Sequence, residues 1–176
     1  MRRLICTPLT VTALCACLCL GSCSQSKTKL HLYSMGQRVE IGHIIYTVLE
    51  TQWLTQIGEG VNAKVPQNRF FLVRLSAANS GNEKLSVPAI SVEDDSGKSY
   101  QELPNGDGIP QWVSMLREIK PAESLQGNVA FDAPPGHYKM LLSDEDQTNT
   151  AYVDIPLTFN AETPEAPLPS FGQGKE

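Results

Sequence analysis

The sequence predicts an all-β protein, a sandwich or barrel of seven or more short strands. Three observations support this prediction. Apolar and polar residues alternate with a period of two, clusters of Gly, Pro, Asn, Asp and Ser separate the alternating runs, and helical periodicity is scarce. The predicted domain, residues 30–159 of 176, contains no cysteine. It must therefore fold on an apolar core without disulfides, which its length permits.

Four stretches carry the strand prediction. RFFLVRLSAANSG alternates an apolar face with a mixed face before the turn sequence NSGN. Its expected core face consists of Phe71, Val73, Leu75 and Ala77. LQGNVAFDAPPG alternates in the same way, and its expected core face consists of Leu125, Gly127, Val129 and Phe131. HIIYTVLETQWLTQI is longer and more continuously β-prone, and AYVDIPL closes the domain with Val153 and Ile155 on one face.

The segment between residues 91 and 119 contains one clear turn and one ambiguous stretch. Asp94-Asp95-Ser96-Gly97 separates two short apolar runs and predicts a hairpin turn, in which Gly97 can take a positive φ. In WVSMLREI the apolar residues have the i, i+3, i+4, i+7 spacing of a helix face. They are Trp112, Met115, Leu116 and Ile119. A stretch this short is compatible with either a helical turn or an irregular strand.

The N-terminus, residues 1–22, predicts a cleaved signal peptide. Two arginines follow Met1, the run Leu4–Leu20 carries no charge, and two small residues precede Cys23. A permanent transmembrane helix is the alternative, because the uncharged run of 17 residues approaches the roughly 20 that span a bilayer. A proline within the run, and the lack of a basic cluster directly after it, favour cleavage.

Leu20-Gly21-Ser22-Cys23 resembles the bacterial lipobox, in which an aliphatic residue and two small residues precede a cysteine. In that family the cysteine sulfur takes a diacylglyceryl group, the signal is cut just before the cysteine, and the new amine is acylated, commonly with palmitate. The resemblance therefore implies S-diacylglyceryl and N-acyl modification of Cys23. Two or more acyl chains hold a protein firmly on a membrane, whereas one holds it marginally.

The cysteine cluster CACLCLGSC has two other interpretations. Cys17 is a second candidate for lipidation, but Cys23 is favoured because polar residues follow it at once. A metal site would need half-sites such as C-x2-C within a folded pocket, and the C-x-C-x-C spacing does not fit that requirement. The remaining cysteines then serve as small apolar residues of the signal.

Two flanking segments are predicted to lie outside the folded domain. Residues 23–29 are short and polar, and form a lipidated tether. Residues 160–176 are rich in proline and have no apolar periodicity, which predicts a disordered tail.

Four successive stretches resemble the landmarks of a bacterial family of secreted and lipid-anchored proteins. They are GHIIYTV, NRFFLVRLSAANSGNEKLSV, ISVEDDSGKSY and IKPAESLQGNVAFDAP, within residues 36–155. The family is a domain of unknown function similar to the immunoprotective extracellular antigens. The resemblance implies an immunoglobulin-like β-sandwich of about seven to nine strands and assigns no catalytic residue. Pro121-Ala122-Glu123 departs from the family, which usually has Pro-Gly there, and this leaves the turn open.

The sequence offers no strong metal or catalytic site. Its three histidines are His31, His43 and His137, and none is at metal-ligand spacing from another. Asp94 and Asp95 are weak candidates for metal ligands, although a solvated turn is the favoured interpretation. The acidic run beginning at Asp144 lacks the glycine and glutamate of an EF-hand. We therefore expect no cofactor, no bound metal and no enzymatic activity.

Two tryptophans could anchor a partner. Trp53 shares its expected strand face with Leu49, which favours a place in the core. Trp112 follows the glycine-rich loop PNGDGIP, so it is a weak candidate for ligand binding, with core packing as the alternative.

The charge balance limits the partners. Loss of Arg2 and Arg3 with the signal leaves 12 basic residues against 19 acidic ones, a net charge of −7. Such a body is not expected to bind nucleic acid. We expect a protein exported to a bacterial membrane, at the periplasmic or outer surface, that binds a protein or other envelope component without catalysis. The alternatives are an accessory subunit that pairs through a sheet edge, and an enzyme with an unrecognised site.

Overall fold

The computed structural model describes residues 31–58, 60–113, 115 and 117–157. The predicted signal peptide, Cys23, the tether and the tail lie outside these residues. Within them the chain forms two β-sheets that share one hydrophobic core, so the predicted sandwich is confirmed.

Eleven strands occur in the described residues, more than the seven to nine expected, because five of them are only three residues long and leave no period-two pattern. They are β1 (Leu32–Ser34), β2 (Val39–Ile41), β3 (Ile44–Leu54), β4 (Arg69–Asn79), β5 (Leu85–Val87), β6 (Ser91–Asp94), β7 (Ser99–Gln101), β8 (Arg117–Ile119), β9 (Ser124–Ala133), β10 (Tyr138–Ser143) and β11 (Thr150–Ile155). One sheet has the order β1-β11-β10-β6-β7 and the other β2-β3-β4-β9, while β5 and β8 pair separately. β1 runs parallel to β11.

The core between the two sheets uses the strand faces that the alternation predicts. The buried residues on those faces are Phe71, Val73, Leu75 and Ala77 of β4, Val129 and Phe131 of β9, and Val153 and Ile155 of β11. Further core residues come from β2 and β3, in the same sheet as β4 and β9, and from β6 and β10, in the same sheet as β11. Burial of one apolar face from each sheet is what fixes the register of these strands.

An aromatic cluster connects the two sheets near one end of the core. Phe71 of β4 stacks on Trp53 at 4.2 Å between ring centroids and lies 5.4 Å from Tyr138 of β10. Phe131 of β9 lies 6.2 Å from Phe71. These spacings are within the range in which aromatic pairs attract beyond their simple burial.

A β-bulge in β3 changes which residues share a face with Trp53. The register between β3 and β4 shifts between Val48 and Glu50, so Leu49 is an extra residue and is exposed. The expectation that Leu49 and Trp53 share a face was wrong, because the bulge places Trp53 on the side of Tyr46 and Val48. Trp53 itself packs against the core, as predicted.

The ambiguous stretch at residues 112–119 is extended where the structure describes it. Trp112 forms a parallel bridge with Asn128 of β9, and β8 covers the last three residues of the stretch. The i, i+3, i+4, i+7 spacing therefore does not reflect a helix. Ile119 is buried in the core between the sheets, whereas Trp112 is half buried in a second cluster, so the two residues do not lie on one face of a single element.

Two predicted turns can be compared with the structure. Gly97 has a φ of +84°, and Asp94 accepts hydrogen bonds from the backbone N–H groups of Ser96 and Lys98 at 2.9 and 3.0 Å. The hairpin between β6 and β7 is thereby confirmed. At the turn left open by the sequence, Ala122 has a φ of +59°. This left-handed conformation favours glycine, which agrees with the Pro-Gly usual in the family that the sequence resembles.

Candidate functional site

Connecting segments at residues 55–58, 60–68 and 102–113 pack on the outer face of the four-stranded sheet, and we call them the loop platform. A second hydrophobic cluster lies beneath it. Its buried members are Ile57, Phe70, Leu72, Ile109 and Ala130, with Leu54, Leu103 and Trp112 half buried around them. The sequence predicts a mixed outer face for β4. The platform covers the first half of that face, so Phe70 and Leu72 are buried as well.

The loop platform also covers the free edge of β9. Leu103 donates its backbone N–H to Ala130 at 2.7 Å, Val113 donates to Asn128 at 3.0 Å, and Asn128 donates to Gln111 at 2.9 Å. These bonds satisfy backbone groups that an edge strand otherwise leaves unpaired. The edge of this ten-residue strand is therefore occupied by the chain itself from Asn128 to Phe131.

Trp112 is a structural part of the loop platform. Its indole is half buried in the second cluster, and it lies so close to Gly106 that a Cβ on that glycine would be 2.0 Å from the ring. Because only glycine permits this approach, the loop PNGDGIP is fitted to the tryptophan. Core packing thus explains Trp112, and the ring offers only part of its surface to a ligand.

The outermost part of the loop platform presents two aliphatic side chains to solvent. Val61 is fully exposed, and Val65 is 76% exposed. Ile57 and Lys64 exchange backbone hydrogen bonds of 3.0 and 2.8 Å at the base of this tip, and Lys64 Nζ donates to the carbonyl of Asp107 at 3.2 Å. The tip is therefore held in place by other segments of the platform.

An exposed apolar tip whose base is held by backbone hydrogen bonds is suited to contact with another molecule, because its side chains gain burial on binding. The sequence analysis did not identify Val61 and Val65. Each is an isolated valine in a segment rich in Gly, Asn and Pro, and nothing in that segment distinguishes a valine that packs inward from one that points outward.

The two weak metal candidates, Asp94 and Asp95, lie at the β6–β7 turn. Their carboxylates are already engaged by other groups of the protein. Asp94 accepts from the hydroxyls of Ser96 and Tyr100 as well as from the turn backbone, and the hydrogen bond from Ser96 is the main cause of its lowered pKa. Asp95 is paired with His137 at 2.7 Å. No three acidic, histidine or cysteine residues converge as metal ligands in the part of the chain that the structure describes.

Two histidines form ion pairs between turns. His43 Nδ1 pairs with Glu145, which raises the pKa of His43 and lowers that of Glu145. His137 lies between Asp95 and Asp154, and the hydrogen bonds to these two carboxylates raise its pKa. These pairs connect turns that are far apart in sequence.

Asp144 stabilises the turn between β10 and β11 and is not part of an EF-hand. Its carboxylate accepts from the backbone N–H of Thr148 at 2.7 Å and from the side-chain amide of Asn149 at 2.6 Å. Burial pushes the pKa of Asp144 upward, but the hydrogen bonds from Asn149 and Thr148 outweigh burial and hold it below its usual value.

No helix among the described residues is long and apolar enough to cross a bilayer. The class of protein is a two-sheet β-sandwich that carries loops on one outer sheet face. The chain belongs to the family described as a domain of unknown function (DUF4352), which matches residues 33–151.

Solved structures with the same fold come from several bacteria. The yjhA protein of Bacillus subtilis has a TM-score of 0.55 and 14% identity, covering 70% of this chain and 98% of its own. The secreted protein MPT63 of Mycobacterium tuberculosis has a TM-score of 0.53 and 14% identity, covering 73% of this chain and 99% of its own. A proposed lipoprotein of Bacillus subtilis, ycdA, has a TM-score of 0.51 and 12% identity, with 68% of this chain and 38% of its own covered. No curated protein sequence is significantly similar to this chain.

Proposed function

We propose that this protein is an exported, lipid-anchored and non-enzymatic binding module of the bacterial envelope. The observation that carries the binding role is the tip of the loop platform, which exposes the apolar side chains of Val61 and Val65. The anchor rests on the lipobox that ends at Cys23. MPT63, described as secreted, and ycdA, proposed to be a lipoprotein, are compatible with export but share only the fold.

The anchor is tested by replacing the lipidated cysteine. Cys23→Ser is expected to abolish labelling with a radioactive or clickable fatty acid and to release the chain from the membrane fraction, because the thiol that takes the lipid is gone. Cys17→Ser is the matched control and should leave labelling unchanged. Persistent labelling of the Cys23→Ser chain, together with loss in the Cys17→Ser chain, would move the anchor to the earlier cysteine.

The binding role is tested at the tip. The double substitution Val61→Ser and Val65→Ser is expected to weaken partner binding about 10-fold or more, since each change removes apolar surface worth roughly 1 kcal/mol. Stability should hardly change, because both side chains are exposed. Leu32→Ser with Leu157→Ser is the matched control, since these apolar residues are exposed away from the platform.

Binding through the tip can be measured by site-specific crosslinking, because the sequence has no cysteine after Cys23 that would compete with an introduced one. A photo-crosslinker on Asn62→Cys, beside Val61, should give a defined adduct in the native envelope. The adduct should disappear in the platform double variant and persist in the control. Equal adducts in both chains, or none above an unrelated lipid-anchored protein, would contradict binding through the tip.

The first alternative, an accessory subunit that pairs through a sheet edge, would need a long free edge. β9 is the long edge strand of its sheet, and the loop platform pairs with it from Asn128 to Phe131. The outer strands β1, β2 and β7 are each three residues long. Among the described residues these edges offer few backbone groups for pairing, so the binding module is the better supported proposal.

The second alternative is an enzyme with an unrecognised site. The His43–Glu145 pair borders an open concavity of about 190 Å³, which is also lined by residues 81–85. His43 is held by Glu145, and no serine, threonine or cysteine is among the described residues that line this concavity. The hydroxyl of Ser80 donates to the backbone carbonyl of His43 at 3.1 Å rather than to its ring, so these contacts give no support to covalent catalysis there.

A further inference from the structure

His137 is held between two carboxylates that approach opposite sides of its ring. Nδ1 lies 2.7 Å from Asp95 Oδ1, and Nε2 lies 2.8 Å from Asp154 Oδ1. An ionised carboxylate can only accept hydrogen bonds, and a neutral imidazole has only one N–H to donate. Both short contacts can therefore be hydrogen bonds only when the ring is a doubly protonated imidazolium.

These contacts join three elements at one end of the sandwich. Asp95 belongs to the turn between β6 and β7, His137 directly precedes β10, and Asp154 lies in β11 near the end of the described domain. β10 pairs with both β6 and β11. Backbone pairing already joins these three strands. The contacts of the His137 ring join β11 and the start of β10 to the exposed turn after β6 as well.

The charged groups around the ring are mostly acidic. Asp94 and Glu93 come from β6, and Lys139 of β10 stands opposite both Glu93 and Asp154 in the sheet register. Lys98, at the start of β7, lies over the ring of Tyr100 at 4.6 Å. With four carboxylates and two lysines near this end, the surroundings favour the protonated ring, in agreement with the raised pKa of His137.

We propose that His137 is a pH-operated clamp that fastens the β6–β7 turn to β11 when protonated and releases it when the proton is lost. Asp95 is the weaker side of the clamp, because its side chain is 70% exposed whereas that of Asp154 is 37% exposed. A neutral ring can still donate one hydrogen bond to Asp154. The contact between Asp95 and the ring is therefore the one that is lost as the pH rises, while the turn keeps its own hydrogen bonds to Asp94.

The clamp fixes the sign of the pH dependence. A histidine whose pKa is raised on folding contributes stability that is fully present below 6.5, its unfolded value, and is lost as the pH rises through the folded value. The ratio of folded to unfolded chain then falls 10-fold for each unit by which the folded pKa exceeds the unfolded one. This loss should begin near pH 6.5 and be complete once the pH exceeds the folded pKa of His137.

The protonation state is tested on the 15N-labelled full chain by NMR spectra that correlate the ring nitrogens with the ring protons. At pH 6 both nitrogens of His137 should have the shifts of an imidazolium, and the ring should titrate above 6.5. Asp95→Asn removes one acceptor from the exposed turn and should lower that titration midpoint. A His137 ring that is neutral at pH 6, or a midpoint that Asp95→Asn leaves unchanged, would overturn the clamp.

The consequence for stability is tested by comparing urea unfolding of the native chain and of His137→Gln between pH 5 and pH 9. The difference between them should be largest near pH 6 and should shrink toward pH 9. His43 titrates in both chains, so its effect cancels from the difference between them. Parallel pH profiles for the native and His137→Gln chains would contradict the proposal.

Discussion

Replacing Arg117 with methionine is expected to lower the free energy of unfolding by about 3–5 kcal/mol. The guanidinium of Arg117 and the carboxylate of Glu102 are 2% and 3% exposed, and Nη2 lies 2.6 Å from Oε1. Glu102 also accepts from the backbone N–H of Ile90 at 3.1 Å, and Arg117 donates to the carbonyl of Pro88 at 3.0 Å. Without the arginine, a buried negative charge loses its counterion and must either protonate or reach water.

A neighbouring ion pair provides the control. Lys84 and Glu118 are 2.9 Å apart, and both are 56% exposed, so Lys84→Met should cost less than about 1 kcal/mol. The double variant Arg117→Met with Glu102→Gln should recover a large part of the loss, because no buried charge remains. Urea unfolding at pH 7 measures all three. An Arg117→Met chain no less stable than Lys84→Met would show that water reaches Glu102.

Replacing Phe71 with alanine is expected to cost about 3–5 kcal/mol. The ring is buried between the two sheets, stacks on Trp53 at 4.2 Å and lies 5.4 Å from Tyr138 of the opposite sheet. Its removal leaves a cavity between the two sheets. Hydrogen-bonded strands move little, so they cannot collapse to fill it. Urea unfolding should therefore show a lower midpoint with little change in slope.

The adjacent Phe70 is the matched control. It is also buried, but it points to the other face of β4, beneath the loop platform. Connecting segments can move into a cavity more easily than paired strands, so Phe70→Ala should cost less than Phe71→Ala. A greater loss for Phe70→Ala would mean that the platform is as rigid as the sandwich core.

Much of the sandwich could be predicted because its long strands bury one face. β4, β9 and β11 alternate with a period of two, and the residues expected in the core are buried, except Leu125, which is half buried. The turn at Gly97 was predictable for a different reason, since its sequence matches a turn with a positive φ. In both cases the information is local.

The features that could not be predicted depend on contacts between distant segments. The bulge after Val48 changes the face of β3 without any glycine or proline to mark it. Arg117 and Glu102 resemble surface charges, and their burial depends on the packing of segments 15 residues apart. Trp112 and the exposed Val61 could not be told apart as inner and outer residues, because the loop platform has no periodicity. Lipidation of Cys23 stays a prediction from the lipobox.

The covered edge of β9 has a consequence for crowding. A lipid anchor would confine many copies to a plane, where their effective concentration is far higher than in free solution. Sandwich domains with long open edges would tend to polymerise under such conditions. Because residues 102–113 pair with β9 from Asn128 to Phe131, this part of the edge is closed to strand pairing between neighbouring copies.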